Sequence, residues 1–194
     1  MEGCSLKLVL ASRKTLVEML SHRGYIFDID ILTIINNPSL QIKCSNSDNT
    51  VKVAYILNKR HVPLLKEYIA KNCSRSKTTS TNVKHIIVTQ YKVNKPFLTL
   101  CNQYSIENFS IQSLGVNITK HSLVPEHVLY STKNHKKERE ELKQNLSINT
   151  WSTLPIMHKT DPVAKYYGAE EGDIFKITRN SKTAGKYVSF RYIV

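Results

Sequence analysis

Residue types that carry enzyme chemistry occur throughout this chain, but their spacing forms no catalytic or metal-binding motif. The carboxylates that could hold a metal are scattered through predicted turns and helices: Asp28, Asp30, Asp48, Glu67 and Glu107. Nuclease-type chemistry needs carboxylates that cluster around a metal ion. The four cysteines form no C-x-x-C pair, and the seven histidines form no H-E-x-x-H pattern. We therefore expect no enzyme active site, no metal site and no cofactor.

Basic residues outnumber acidic ones in this chain. It contains 28 lysine and arginine residues against 15 Asp and Glu, which gives a formal net charge of +13. Such a charge attracts polyanions, and nucleic acid is the commonest of these. The interval from Tyr68 to Ile106 contains no acidic residue. Its candidate DNA-facing residues are Lys71, Arg75, Lys77, Lys92 and Lys95. The alternative interpretation is a lysine-rich surface that is only solvated.

Hydrophobic periodicity predicts the elements that position these residues in the N-terminal half. Apolar residues recur at helical spacing over residues 6–20, with Arg13 on the polar side and Gly24 just past the end. Asp28 or Asp30 is expected to cap a second, short helix. The sequence therefore begins with two helices of unequal length.

A strand–helix–strand order follows. Residues 51–57 and 83–89 have the β-branched and aromatic composition of strands, and residues 58–71 between them are predicted to be a helix. Pro96 fits the first turn of another helix, which precedes a possible strand at residues 104–110. This order predicts a small α/β unit in which a helix crosses one face of a sheet.

Two breaks interrupt these elements. The polar segment 44–49 is predicted to be a turn, and Gly115 ends the N-terminal half. We place the domain boundary at this glycine, which gives domains 1–115 and 116–194.

The C-terminal half contains two predicted helices. Thr132 is a plausible cap for a strongly charged surface helix that ends near Asn145. Farther along, the run TDPVAKYYG places Asp161 at a helix cap, Pro162 inside the first turn and Gly168 past the end. The second helix is therefore short and well delimited.

Residues 173–179 and 186–194 are predicted to be two strands joined by a hairpin turn. One side of the last strand is apolar, whereas the other mixes Tyr187, Ser189, Arg191 and Ile193. The mixed side is typical of a strand that something else partly covers, such as a partner protein. The fold class is an N-terminal α/β domain, with a small sheet flanked by helices, plus a small C-terminal α+β domain.

A dense motif runs from Leu154 to Arg191: L-P-x-I…D-P-V-A-K-Y-Y-G…G-D…K-I-x-R…T-A-G-K-Y-V-x-x-R. It closely resembles the C-terminal domain of the fifth subunit shared by eukaryotic RNA polymerases I, II and III, and the shorter archaeal counterpart of that subunit. Near the start, R-K-T at residues 13–15 and H-R-G-Y at 22–25 resemble the first helix of the eukaryotic form. Glu171 and Lys182 depart from the family pattern by reversing a local charge.

The resemblance implies that the C-terminal domain docks on the largest polymerase subunit and that the N-terminal domain forms a lower-jaw element near downstream DNA. Lys92 and Lys95 fall where it places the jaw loop that approaches the duplex. The subunit-interface residues that it implies are Asp161, Pro162, Lys165, Tyr166, Thr183, Gly185, Tyr187 and Arg191.

The function predicted from this resemblance is a non-catalytic shared subunit of a multi-subunit DNA-directed RNA polymerase. Its expected partners are the largest subunit, other polymerase subunits and downstream double-stranded DNA, and we do not expect a homo-oligomer. The expected location is the nucleus, or the cytoplasm or virion if a virus encodes the chain. The alternative function is a free-standing DNA-binding transcription regulator, although no zinc finger or basic zipper is visible.

Neither a membrane segment nor a secretion signal is expected. No apolar run approaches the roughly 18 to 20 residues that span a bilayer, and the start carries Glu2 and Lys7.

Overall fold

The chain folds into two units, Met1–Val116 and Asn117–Val194, which each contain one β-sheet. The structure is a computed structural model. It describes residues 6–28, 30–36, 42–46, 49–57, 82–91, 93–181 and 185–194.

The N-terminal unit begins with helix α1 (Leu6–His22), as its apolar periodicity predicts. Gly24 has φ +80, a left-handed conformation that glycine adopts without steric cost. The short helix α2 (Ile31–Asn36) follows, and the Asp30 carboxylate accepts a hydrogen bond from the Thr33 amide at 3.2 Å. The predicted cap is therefore Asp30.

Five strands form the N-terminal sheet in the order β1-β2-β3-β4-β5. Their bounds are Ile26–Phe27, Ile42–Ser45, Asn49–Ile56, Asn82–Thr89 and Glu107–Ser110. The first three strands pair antiparallel, and β3, β4 and β5 pair parallel. Helix α3 (Lys95–Gln103) connects the parallel strands β4 and β5. The helix predicted over 58–71 lies outside the described residues.

Strand β2 corrects the sequence-based prediction of a polar turn over 44–49. The turn is shorter, with the Asn46 amide donating to the Asn49 carbonyl oxygen at 2.9 Å and the Asn49 amide to Asn46 Oδ1 at 2.7 Å. Ile42 and Cys44 are almost fully buried on β2. Pairing with β3 therefore extends the strand into residues that look polar in sequence.

Among the described residues, helices α1 and α3 cover opposite faces of this sheet. Adjacent residues of a strand point to opposite faces, and Tyr55 lies against α1 while Ile56 packs with Phe97 and Cys101 of α3. Strand β4 is accordingly apolar on both sides, with Ile86, Ile87 and Val88 all buried. A strand covered on both faces reads as a continuous hydrophobic run.

The C-terminal unit contains a four-stranded sheet in the order β6-β8-β9-β7. The strands are β6 (Glu126–Tyr130), β7 (Ile156–Met157), β8 (Ile174–Ser181) and β9 (Gly185–Ile193). The antiparallel β8–β9 pair confirms the two predicted strands. The helices are α4 (Lys136–Asn145) and α5 (Pro162–Tyr167), with short 3-10 turns at Ile118–Lys120 and Trp151–Thr153.

Thr132 does not cap α4, because the helix begins four residues later. Its amide and hydroxyl instead donate to Asp173 Oδ1 at 2.8 and 3.1 Å. The other Asp173 oxygen accepts from the Glu170 amide at 2.9 Å. Asp173 therefore ties the segment before α4 to the turn before β8.

Both units mix helices with a sheet, and this arrangement confirms the predicted fold class.

Candidate assembly surface

Helix α5 is fixed at both ends by the residues that the motif supplies. Asp161 Oδ1 accepts from the Val163 amide at 2.8 Å, and Pro162 occupies the first turn, where no amide partner is needed. At the far end Gly168 has φ +66, and the Ala169 amide donates to the Ala164 carbonyl oxygen at 3.0 Å. This Schellman-type ending holds the short helix in one position.

The inner side of the C-terminal sheet packs against α5. Met157, Ala164, Phe175, Ile177 and Ile193 belong to this core cluster. Tyr166 is also buried, and its hydroxyl accepts from the Asn117 side-chain amide at 3.2 Å. In the chain by itself, Tyr166 therefore supports the helix from inside, and its contact with a partner stays a prediction.

Helix α5 partly covers the mixed side of strand β9, for which the sequence indicates a cover such as a partner protein. Arg191 pairs with Phe175, and Ile193 lies in the core cluster, so the mixed side faces α5 of the same unit. The apolar side, with Val188, Phe190 and Tyr192, faces outward. The cover that the mixed side requires comes from the chain's own helix.

Arg139 of α4 links the end of β6, the turn before β8 and the turn that contains Trp151. Arg139 of α4 is only 8% exposed. Its guanidinium donates to the carbonyl oxygens of Tyr130 at 3.1 Å and Gly172 at 2.9 Å, and it lies 5.1 Å from the centroid of the Trp151 ring. Burial lowers the pKa of this guanidinium, and the nearby Asp173 carboxylate opposes that shift.

The outward side of β9 and its neighbouring strands is partly exposed, and Glu126 and Thr178 lie on it in one row with Val188. We define the outer-face patch as Val128, Ile156, Lys176, Val188 and Phe190, which share this side by strand register. Val188 is 41% exposed and Ile156 is 54% exposed. Lys176 lies between Val128 and Phe190 in one row and makes no ion pair within the described ranges. Exposed apolar residues grouped on a sheet face make it a candidate interaction surface.

A polar concavity of about 290 Å³ lies beside the start of α5. Asp161 and Arg191, two of the predicted interface residues, line it together with His158 and Thr160. An Arg191 Nη1 group donates to the Ile156 carbonyl oxygen at 3.3 Å. The structure thus brings two residues that are thirty positions apart in the motif to one side of the sheet.

The remaining predicted interface residues lie at the surface. Pro162, Lys165, Gly185 and Tyr187 are exposed, and Tyr187 pairs with Arg179 near the end of the β8–β9 hairpin. Thr183 lies outside the described residues. The predicted set therefore occupies the α5 side and the hairpin end, whereas the outer-face patch lies on the opposite side of the sheet.

Comparison with known proteins decides the family. Residues 116–193 match the family model described as RNA polymerase Rpb5, C-terminal domain. The DNA-directed RNA polymerases I, II, and III subunit rpabc1 of Dictyostelium discoideum is 31% identical over 202 residues, which cover 96% of this chain and 97% of that protein. The chain belongs to the Rpb5 family. The corresponding subunits of Caenorhabditis briggsae and Caenorhabditis elegans are each 30% identical over 204 residues, covering 94% of this chain and 93% of theirs.

These matches confirm the resemblance predicted from the sequence. The Rpb5 family model ends within one residue of the chain's last position and begins one residue before the C-terminal unit. The three relatives extend the similarity over the N-terminal unit as well. Their names describe subunits shared by RNA polymerases I, II and III, which assigns this Rpb5 family member to transcription.

We call the acid-free interval 68–106 of this Rpb5 family member the basic stretch. The structure describes only part of it. Lys71, Arg75, Lys77 and Lys92 lie outside the described residues, whereas Lys95 is exposed at the first position of α3. A cation at the positive end of a helix dipole is unfavourable by about 0.3 to 1 kcal/mol. Lys95 therefore does not stabilise its own helix through the helix dipole. Its side chain is exposed, so its ammonium group is accessible to a ligand.

The candidate metal-binding carboxylates form no metal site among the residues that the structure describes. Glu107 binds Arg23 through both carboxylate oxygens, at 3.0 and 2.8 Å, and Asp30 caps α2. Asp48 and Glu67 lie outside the described residues. Over the described ranges, no group of three or more His, Cys, Asp or Glu side chains is arranged to hold a metal ion. The same ranges contain no helix long and apolar enough to cross a membrane.

Sequence reasoning missed two features of this surface, namely the burial of Arg139 and the outward apolar side of β9. The charged run of α4 predicts a solvated helix, and one buried arginine among its Lys and Glu neighbours gives no separate sequence signal. The alternation in β9 did signal two distinct sides, but it did not indicate which side α5 covers.

Proposed function

We propose that this chain is a non-catalytic shared subunit of a multi-subunit DNA-directed RNA polymerase, and that its outer-face patch docks on the largest subunit. The observation that carries the docking proposal is the partly exposed apolar side of β9 in the family-matched domain. Val128, Ile156 and Val188 expose apolar surface on this sheet face. Leaving such surface in water costs about 25 cal/mol of free energy for each Å². A permanent partner would remove that cost.

Lys176 restricts the chemistry of the partner surface. Its side chain crosses the middle of the patch, so docking would remove its ammonium group from part of its water. A buried ammonium group needs a paired acceptor, since an unpaired buried charge costs several kcal/mol. The proposed partner surface is therefore apolar and carries a carboxylate opposite Lys176.

The polar α5 side is proposed as a second contact with the polymerase. Asp161, Lys165 and Arg191 are charged residues on that side, and Tyr187 extends the surface at the hairpin end. A small domain inside a large assembly can use both faces of its sheet. Charged groups at such a rim contribute more to orientation and partner choice than to affinity.

Copurification tests the docking proposal. A tagged wild-type chain, expressed in its own cell, is expected to retain the large polymerase subunits through a high-salt wash. Replacing Val188 by Glu places a charge in an apolar interface and should reduce their recovery by about tenfold or more. Leu123→Glu is the matched control, because Leu123 is a highly exposed apolar residue of the same unit outside the patch.

Three outcomes of this experiment distinguish docking through the patch, polymerase membership without it, and a free-standing regulator. Loss of the large subunits with Val188→Glu but not Leu123→Glu supports docking through the patch. Equal recovery with both variants contradicts the patch while leaving polymerase membership intact. Recovery of the wild-type chain alone would favour the free-standing DNA-binding regulator. Polymerase membership also leads us to expect the chain in the nucleus, or in the cytoplasm or virion if a virus encodes it.

The N-terminal unit is proposed as a lower-jaw element that contacts downstream duplex DNA through its basic stretch. The acid-free interval 68–106 and the exposed Lys95 support this role. Such contacts would bind phosphates and position the duplex without reading its sequence.

Charge reversal checks the DNA contact. Polymerase that carries Lys92→Glu together with Lys95→Glu should assemble normally and bind downstream DNA more weakly. Because each neutralised phosphate contributes about 0.9 to the salt slope, the slope should fall by about one to two units. Lys7→Glu with Lys14→Glu changes the net charge equally on α1 and serves as the control. An unchanged binding curve across a salt titration would contradict the contact.

A further inference from the structure

A cleft of about 460 Å³ opens at one edge of the N-terminal sheet. The end of α1, strand β1 and the start of α2 border it, and its lining includes Ser21, Ile26, Asp28, Asp30 and Ile31. Strand β1 is the terminal strand of the sheet order. We name this feature the β1 cleft. It lies within the N-terminal unit and shares no residue with the basic stretch or the outer-face patch.

Apolar side chains of the β1 cleft are unusually accessible. Ile26 is 73% exposed, Ile31 is 42% exposed, and Leu32 beside it on α2 is 67% exposed. Single exposed apolar residues are normal on a protein surface, but a group of them at the mouth of a concavity is typical of a binding site. The volume of the cleft is suited to a few side chains of a ligand.

The charge at the β1 cleft is opposite to that of the chain. Asp28 and Asp30 line it, and no lysine or arginine is among its described lining residues. Asp30 is already engaged by the Thr33 amide, and the nearby Arg23 is held by both oxygens of Glu107. Asp28 makes no hydrogen bond or ion pair within the described part of the chain. A chain with a net charge of +13 thus presents an uncompensated carboxylate beside exposed apolar groups.

We propose that the β1 cleft binds a segment of a partner protein that presents an apolar side chain next to a lysine or arginine. The apolar side chain would fill the space beside Ile26 and Ile31, and the cation would pair with Asp28. Phosphates of nucleic acid or of lipid head groups would be repelled by the two aspartates, which excludes both as occupants. This interaction is separate from polymerase docking and from DNA contact.

Three labelled peptides test the proposal on the full chain. One alternates Leu with Lys, the second alternates Leu with Glu, and the third alternates Ser with Lys. Fluorescence anisotropy is expected to show binding of the Leu/Lys peptide only, with a dissociation constant below about 1 mM. The long-range field of the +13 chain repels this peptide and attracts the Leu/Glu peptide, so the expected preference requires a local acidic site.

Variants then locate the binding site. Ile26→Ser should weaken binding of the Leu/Lys peptide by about tenfold, because a hydrophobic contact near the centre of the site is lost. Asp28→Lys should abolish it and favour the Leu/Glu peptide. Leu98→Ser is the matched control, since Leu98 is an exposed apolar residue on α3 away from the cleft. Thermal melting of each variant confirms that it is folded.

The proposal is overturned if the Leu/Lys peptide does not bind up to about 1 mM, or if the Leu/Lys and Ser/Lys peptides bind equally. Equal effects of Ile26→Ser and Leu98→Ser on binding would also overturn it. Retained Leu/Lys binding by folded Asp28→Lys would overturn the acidic recognition. None of these results depends on whether the chain assembles into polymerase.

Discussion

Replacing Arg139 by Met is expected to lower the free energy of unfolding of the C-terminal unit by about 3 to 5 kcal/mol. Met keeps much of the apolar stem but removes the guanidinium. The carbonyl oxygens of Tyr130 and Gly172 would lose their charged donor inside the protein, and the Trp151 ring would lose its cation. A hydrogen bond from a charged donor contributes about 1.5 to 3 kcal/mol, and two are lost here.

Urea denaturation followed by tryptophan fluorescence measures this effect directly. Trp151 is the one tryptophan of the chain and lies against Arg139, so its emission reports on the C-terminal unit. Lys137→Met is the matched control, because it removes a cation from an exposed position of the same helix. A shift below about 0.5 kcal/mol is expected for the control. Equal midpoints for the two variants would show that the Arg139 contacts contribute little to stability.

Arg13→Met is expected to destabilise the N-terminal unit by about 2 to 4 kcal/mol. Arg13 is 1% exposed, its Nε donates to the Ile34 carbonyl oxygen at 2.8 Å, and its guanidinium lies 5.5 Å from the centroid of the Tyr55 ring. Burial lowers the pKa of this guanidinium. Because Arg13 connects α1, α2 and β3, its loss should loosen all three elements together.

Hydrogen exchange measured by mass spectrometry is suited to this variant, since the single tryptophan lies in the other unit. Peptides from α1, α2 and β3 should exchange faster by about 30-fold or more, which corresponds to at least 2 kcal/mol when opening is at equilibrium. Peptides from α4 and α5 provide the internal reference. Lys14→Met, at the next and exposed position of α1, is the control. Faster exchange in the control to the same degree would contradict the assigned role of Arg13.

The two arginines illustrate why a charged residue is difficult to assign from sequence. Helical periodicity places Arg13 on the polar side of α1, and the charged run of α4 predicts that Arg139 is solvated; the structure shows both predictions to be wrong. A guanidinium can be buried only where acceptor oxygens, often from distant segments, meet its donors. For Arg13 that oxygen belongs to Ile34, and for Arg139 the oxygens belong to Tyr130 and Gly172.

The candidate sites were predictable to different degrees. The motif from Leu154 to Arg191 carried the family assignment, because many residue types match it in register. The basic stretch is visible in composition alone, although most of it lies outside the described residues. The outer-face patch and the β1 cleft were not predicted, because each depends on which side chains the neighbouring elements leave uncovered.

The sequence by itself determined α1, α5 and the strands β3, β4, β8 and β9 to within a few residues, together with the family of the chain. These features rest on local signals such as apolar periodicity, capping residues and glycine at the left-handed end of a helix. Only the tertiary structure decided that β2 pairs with β3 and that the mixed side of β9 faces inward. Both depend on contacts between distant segments, since a strand with two half-apolar sides buries whichever side another element covers.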